Sequence, residues 1–275
     1  MAAADLLVVI TDVIFARVGG IYFPVSFLHI THVCRLIPFL VFASTEASVW
    51  LTVAFTFDRF VAICCEKLKT KYCTEKTAAV VLGTLSVLSC LESLPWYFIY
   101  QPGTIIDNVP WFCVTEAYFF NSPIWAAFEL FHYILTPCVP FFLILLLNVL
   151  TIRRILAASR VRRGLRNRSN GENHKDPEME NRKKSIILLF SISGSFILLW
   201  LTKVVYKMFA RIANIQYYTS ATDSNFITEE ISFMLQLLSS CTNTCIYVLT
   251  QTKFREELKN AVKYPFNLIV RLVKL

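Results

Sequence analysis

Apolar runs of about 20 residues recur along this chain, and at about 1.5 Å of rise per helical residue each can cross a hydrocarbon layer of about 30 Å. A backbone in lipid finds no water for its amides, so only helices and closed barrels span a bilayer. Runs this long lack the period-two alternation of barrel strands, which leaves helices. Six spans are predicted, at about 1–20, 33–64, 77–100, 124–150, 185–210 and 228–250. The expected class is therefore all-α, a polytopic membrane helix bundle of six transmembrane helices filling residues 1–250. Composition agrees: 56% of residues are apolar and only 17% charged, whereas soluble domains carry about 25% charged residues.

The basic residues then fix the orientation. Segments 65–76, 151–184 and 251–275 together carry 21 Lys and Arg, while 21–32, 101–123 and 211–227 together carry only Arg211. By the positive-inside rule the first group lies in the cytoplasm, and the net charge of +8 meets anionic membrane lipid rather than nucleic acid. Residues 157–184, with Arg160, Arg162, Arg163, Arg166 and Asp176-Pro-Glu-Met-Glu180, read as a cytoplasmic loop whose basic first half continues the preceding helix. In the tail, 251–275, Phe254, Leu258 and Val262 recur every four residues among lysines and arginines, the pattern of a short amphipathic helix on the inner membrane surface.

Two constellations carry mechanism. Cys34 and Arg59 lie 25 steps apart on the second span, about 37 Å along a helix, so one end is outside and the other inside. Cys113 belongs to an outer loop, and a Cys34–Cys113 disulfide would form in an oxidising compartment and pin that loop over the helix; two unpaired thiols are the alternative. At the inner end stands Asp58-Arg59-Phe60, which on its own could be an interfacial anchor.

The stretch Ala47-Ser-Val-Trp-Leu-Thr-Val-Ala-Phe-Thr-Phe-Asp58-Arg59-Phe60 resembles the third helix of rhodopsin-like G-protein-coupled receptors, which ends in an Asp-Arg-Tyr motif. Phe196-Ile-Leu-Leu-Trp200-Leu-Thr202 resembles the sixth-helix switch of that family, with Leu199 and Thr202 in the Cys and Pro places. Asn243-Thr-Cys-Ile-Tyr247 resembles its Asn-Pro-x-x-Tyr motif, and Ala2-Ala-Ala-Asp5-Leu6 its second-helix pattern. The resemblance covers nearly the whole chain and implies that the family's first helix is absent. It also implies an Arg59 held by Asp58 at rest and released to a heterotrimeric G protein on activation. Asp58, Arg59, Phe60, Phe196, Trp200, Asn243 and Tyr247 become the activation and coupling residues, and Asp5, Ser48 and Asn243 a site for an allosteric sodium ion.

On the ligand side, an amine receptor of this family would carry an Asp about five turns above Arg59, where Val41 stands. Glu46, Glu129, His132 and Lys203 are the polar candidates for a pocket floored by Trp200, and Lys203 with Glu129 would suit the two charges of an amino acid or peptide. These four could equally pair with one another inside the bundle. A transporter or channel would be expected to show internal repeats or charge rings, and an enzyme a Ser/His/Asp set, a metal-ligand cluster or a phosphate loop; none is visible. The expected function is a multi-pass plasma-membrane receptor, not an enzyme, with a small non-monoamine molecule, amino acid or peptide as extracellular ligand.

Overall fold

The computed structural model describes residues 2–166, 177–213, 215, 220, 222–250, 255–256, 259–260 and 263–264, with the side chains of some helical residues, Asn243 and Tyr247 among them, outside the description. Helix α1, residues 2–22, begins as the α-helix Ala2–Val8, widens into a π-helical stretch Val9–Val18 and closes with Gly19–Tyr22. At Gly19 the helix lies close to the following turn: a Cβ would come within 2.7 Å of the end of the Leu28 side chain, which would have to shift. The long α2, Thr31–Cys64, runs the full depth of the bundle. A short α3, Glu66–Tyr72, leads to α4, Glu75–Ser93, which Thr74 caps by accepting a hydrogen bond from the Thr77 backbone N–H at 3.2 Å. Helix α4 tightens into a 3₁₀ turn, Leu94–Phe98, with Pro95 at its start.

The loop 101–123 holds a two-stranded antiparallel sheet, β1 Tyr100–Ile106 against β2 Val109–Thr115, so the otherwise helical bundle is not purely all-α. Asp107 and Asn108 turn the chain at φ 49° and 60°, the left-handed pair that a two-residue hairpin of this twist demands. Phe112 is also at positive φ, 61°, and its carbonyl accepts a hydrogen bond from the Thr31 hydroxyl at 3.0 Å. Across the ladder Gly103 leaves the space this needs, since a Cβ there would sit 3.2 Å from that of Phe112.

After the short α5, Ala117–Asn121, helix α6 covers residues 123–166: Pro123–Tyr133, a π-helical stretch Ile134–Cys138 and Val139–Arg166. Pro137 sits inside the wide turn and Pro140 is fully buried just beyond it, so the two prolines share one bulge that absorbs their missing N–H donors. Helix α7, Pro177–Ile212, is long and carries no internal proline, and α8 is Ser224–Thr250. The loop predicted at 157–184 is thus helical on both flanks, with 167–176 outside the described residues. Of the predicted surface helix only 255–256, 259–260 and 263–264 are described, all helical and exposed; Phe254, Leu258 and Val262 lie outside.

Among the described residues, four helical segments are long and apolar enough to cross a membrane: Thr31–Cys64, Glu75–Phe98, Pro123–Ala157 and Phe190–Ile212. Asp5, Asp12 and Arg17 dilute α1, which sets it apart from these four. Burial ranks the four: half of the most apolar stretch within Thr31–Cys64 is buried but only 11% of that within Glu75–Phe98. Helix α2 is the central post, touching α1, α4, α6 and α7, while α4 turns Val80, Val87, Leu88 and Leu91 outward. Such an apolar exterior is the inverse of a water-soluble surface and matches a lipid surround.

Candidate functional site

At the inner end of α2, Arg59 donates from Nε and a terminal nitrogen to Asp58 Oδ2, at 3.1 and 2.6 Å. The guanidinium also lies 5.4 Å from the Phe55 ring, and both charged side chains are about one-third exposed. They line a cleft of about 410 Å³ between α2, the α3–α4 turn and α4, with Tyr72, Cys73 and Thr77 on its far wall. The thiol of Cys73 is pushed above its usual range by burial and by the adjacent Asp58 carboxylate, which shows how closely that turn approaches the pair. Phe60 faces the other way, into a groove it shares with Cys64, Leu150, Arg153 and Arg154 between α2 and α6. The cation is thus held by its own chain neighbour at the wall of an open cleft.

Midway up the bundle, Phe196 and Trp200 of α7 are 2% and 7% exposed. They pack with Val49 and Val53 of α2 and Ile144 of α6, and the Phe141 ring meets Phe196 edge-on at 5.4 Å. Rings of Phe196 and Trp200 are 5.7 Å apart. One turn of α7 therefore joins three helices through aromatic contacts. Nearby, the Ser48 hydroxyl of α2 donates to Asp5 of α1, and both residues are buried. The third expected member of this group, Asn243, has its backbone on α8 and its side chain outside the described residues, as has Tyr247.

The four polar residues expected in the outer half separate into two groups. His132 of α6 contacts Glu92 of α4 at 2.9 Å, and Glu46 of α2 lies beside them. Glu129 instead pairs with Arg211 of α7 at 3.3 Å, and Lys203 with Gln236 of α8, so the structure does not bring Lys203 and Glu129 together as a zwitterion clamp. Around Lys203 runs a charged belt that sequence reasoning did not assemble. Arg17 of α1 pairs with Glu230, Lys207 with Glu229, and Phe233 lies between two cations, with Arg17 at 3.7 Å and Lys203 at 4.7 Å from its ring. Asp12 is buried close to Lys203 and Arg17. Its signal was present: ionisable side chains inside apolar spans are costly and are retained for function.

Above the bundle, Cys34 and Cys113 form a disulfide with Cα atoms 6.1 Å apart, and Ile30 pairs with Trp111 as a single bridge. The hairpin is thereby fastened to the start of α2. The sequence matches the profile of the 7 transmembrane receptor (rhodopsin family) over residues 1–247, which takes in α1 to most of α8 and every motif described above. An inner Asp-Arg pair, an aromatic hub at mid-depth and an outer loop locked by a disulfide are thus carried on a sequence that matches that family over nearly its whole length, and the chain belongs to the rhodopsin family of seven-transmembrane receptors.

Proposed function

We propose that this receptor resides in the plasma membrane and passes an extracellular ligand signal to a heterotrimeric G protein, with its six helices standing for the second to seventh of the family's seven. The observation that carries the reading is the Asp58–Arg59 pair beside an inner cleft. Ligand binding outside shifts a two-state bundle toward the form in which Arg59 leaves Asp58 for the transducer, and Phe196 and Trp200 relay the change between α2, α6 and α7. Arg153 and Arg154, on the inner part of α6, extend the basic surface that a G protein's C-terminal helix would meet.

The ligand is a small non-monoamine molecule, an amino acid or a peptide. The outer belt supports this, because Lys203, Arg17 and its partner Glu230 offer both signs of charge around the Phe233 ring. The Ala2-Ala-Ala-Asp5 start, Trp50-Leu-Thr-Val53 before Asp58, and Asn243-Thr followed by Tyr247 resemble the orphan receptors called G-protein coupled receptor 139. For an allosteric sodium ion, Asp5 and Ser48 offer the hard oxygen donors that such a cation prefers, and Asn243 is the third donor.

The decisive experiment is a second-messenger assay on cells expressing wild type and Arg59→Ala at matched surface level. Signalling is expected to fall at least tenfold in the variant while its surface expression is preserved. Equal signalling from the two would remove the reading.

A further inference from the structure

Glu46 of α2, Glu92 of α4 and His132 of α6 present three ligand atoms that all lie within 4.8 Å of one another. Glu46 is 3% exposed and His132 5%. The second oxygens of both carboxylates, Glu46 Oε2 and Glu92 Oε2, are buried and have no hydrogen-bond partner among the described residues, and the buried Ser93 hydroxyl lies beside the Glu46 carboxyl. Phe42 and Trp96, stacked with centroids 4.0 Å apart, wall the cluster, and both meet the His132 ring edge-on, at 5.2 and 5.4 Å. Glu46 stands 12 residues from Cys34 and 13 from Arg59, so the cluster lies about halfway along α2, at the depth where uncompensated charge costs most.

From this geometry we infer that Glu46, Glu92 and His132 bind a divalent transition-metal ion, Zn²⁺ being the best match, and so tie α2, α4 and α6 together. Two carboxylate oxygens and one imidazole nitrogen are a borderline donor set of the kind zinc takes, and three protein ligands leave one position for the Ser93 hydroxyl, a water or a bound ligand. The charges also balance, because a dication cancels two carboxylates while His132 coordinates as neutral imidazole. Tetrahedral bonds of about 2.0–2.1 Å place neighbouring ligand atoms about 3.3 Å apart. The 2.9 Å His132–Glu92 contact must therefore open by a few tenths of an ångström, and the orphaned carboxylate oxygens turn inward. Such an ion would resist any separation of α4 from α2 and α6, which makes the site regulatory for the bundle. The inference does not depend on which extracellular ligand the receptor takes.

The test uses the full chain in lipid nanodiscs, purified with a histidine-free tag and stripped with a chelator. Titration with Co²⁺ is expected to raise visible d–d absorption at one ion per protein, and Zn²⁺ to bleach it. Affinity should fall at least tenfold in Glu92→Gln and return in Glu92→His, which restores a ligand atom. Zn²⁺, but not Mg²⁺, should raise the unfolding temperature of wild type and leave that of Glu92→Gln unchanged. No Co²⁺ band in wild type, or equal affinity in wild type and Glu92→Gln, overturns the site.

Discussion

The buried Asp5 carboxyl group receives a hydrogen bond from Ser48 across the α1–α2 contact, so Ser48→Ala removes one donor from a buried acid. The expected cost is about 1–3 kcal/mol, read as a lower unfolding temperature in nanodiscs. If the pair also serves a sodium ion, the difference in unfolding temperature between sodium and a bulky organic cation should shrink in the same variant. An unchanged sodium effect in Ser48→Ala would leave the hydrogen bond and remove the ion. Asp5 and Arg59 stood out in the sequence because an acid or a cation in an apolar run is costly unless it has a role, and Ser48 and Trp200 because the stretches around them resemble the family's third and sixth helices. Glu92 was missed although it breaks an apolar span in the same way. Its meaning comes only from Glu46 and His132, 46 and 40 residues away in sequence, and a linear pattern does not reveal which faces of three helices meet.

At the scale of elements, the hairpin is where local pattern misled. Asp107-Asn108 between Thr104-Ile-Ile106 and Val109 is a two-residue turn signal, but Pro102, Gly103 and Pro110 around it argue against strands. An edge-to-edge pair of only two strands tolerates those residues, and the Cys34–Cys113 bond with the Thr31–Phe112 contact supplies the anchoring that the ladder lacks. Two outcomes follow from this division of labour. Asn108→Val places a β-branched residue at φ 60°, a strain of roughly 1–2 kcal/mol, and should speed amide exchange in residues 100–115 while the helices keep their protection. Cys113→Ser opens a loop with a sequence separation of 79 residues, for which chain entropy sets an upper value of about 4–5 kcal/mol. Helices persist in lipid after tertiary contacts are lost, so the measured drop in unfolding free energy should be smaller than that value. A Cys113→Ser protein as heat-stable as wild type, with hairpin amides still protected, would mean that the hairpin holds itself.

For the whole molecule, the arrangement has meaning only if Asp58-Arg59 and the Cys34–Cys113 bond lie on opposite sides of the bilayer. Four of the six predicted spans were legible in sequence because hydrocarbon accepts so few backbone solutions, and the 21 of 22 basic residues that fall on alternate connections predict their direction. Packing order was not legible: nothing in the run of residues says that α2 is central or that α4 sits at the rim, since lipid-facing and helix-facing apolar side chains are chemically alike. Topology can be tested with one atomically small change. Pro110→Thr makes Asn108 the acceptor of an Asn-x-Thr sequon at the exposed tip of the hairpin. In mammalian cells this variant should gain a glycan, seen as a mass increase that a glycosidase removes, because only the lumenal and outer face meets the transferase. The native Asn167-Arg168-Ser169, a sequon of the same kind in the basic segment, should stay unmodified. Glycan on the second and not the first would invert the bundle, put Arg59 outside, and leave the inner cleft with no transducer to meet.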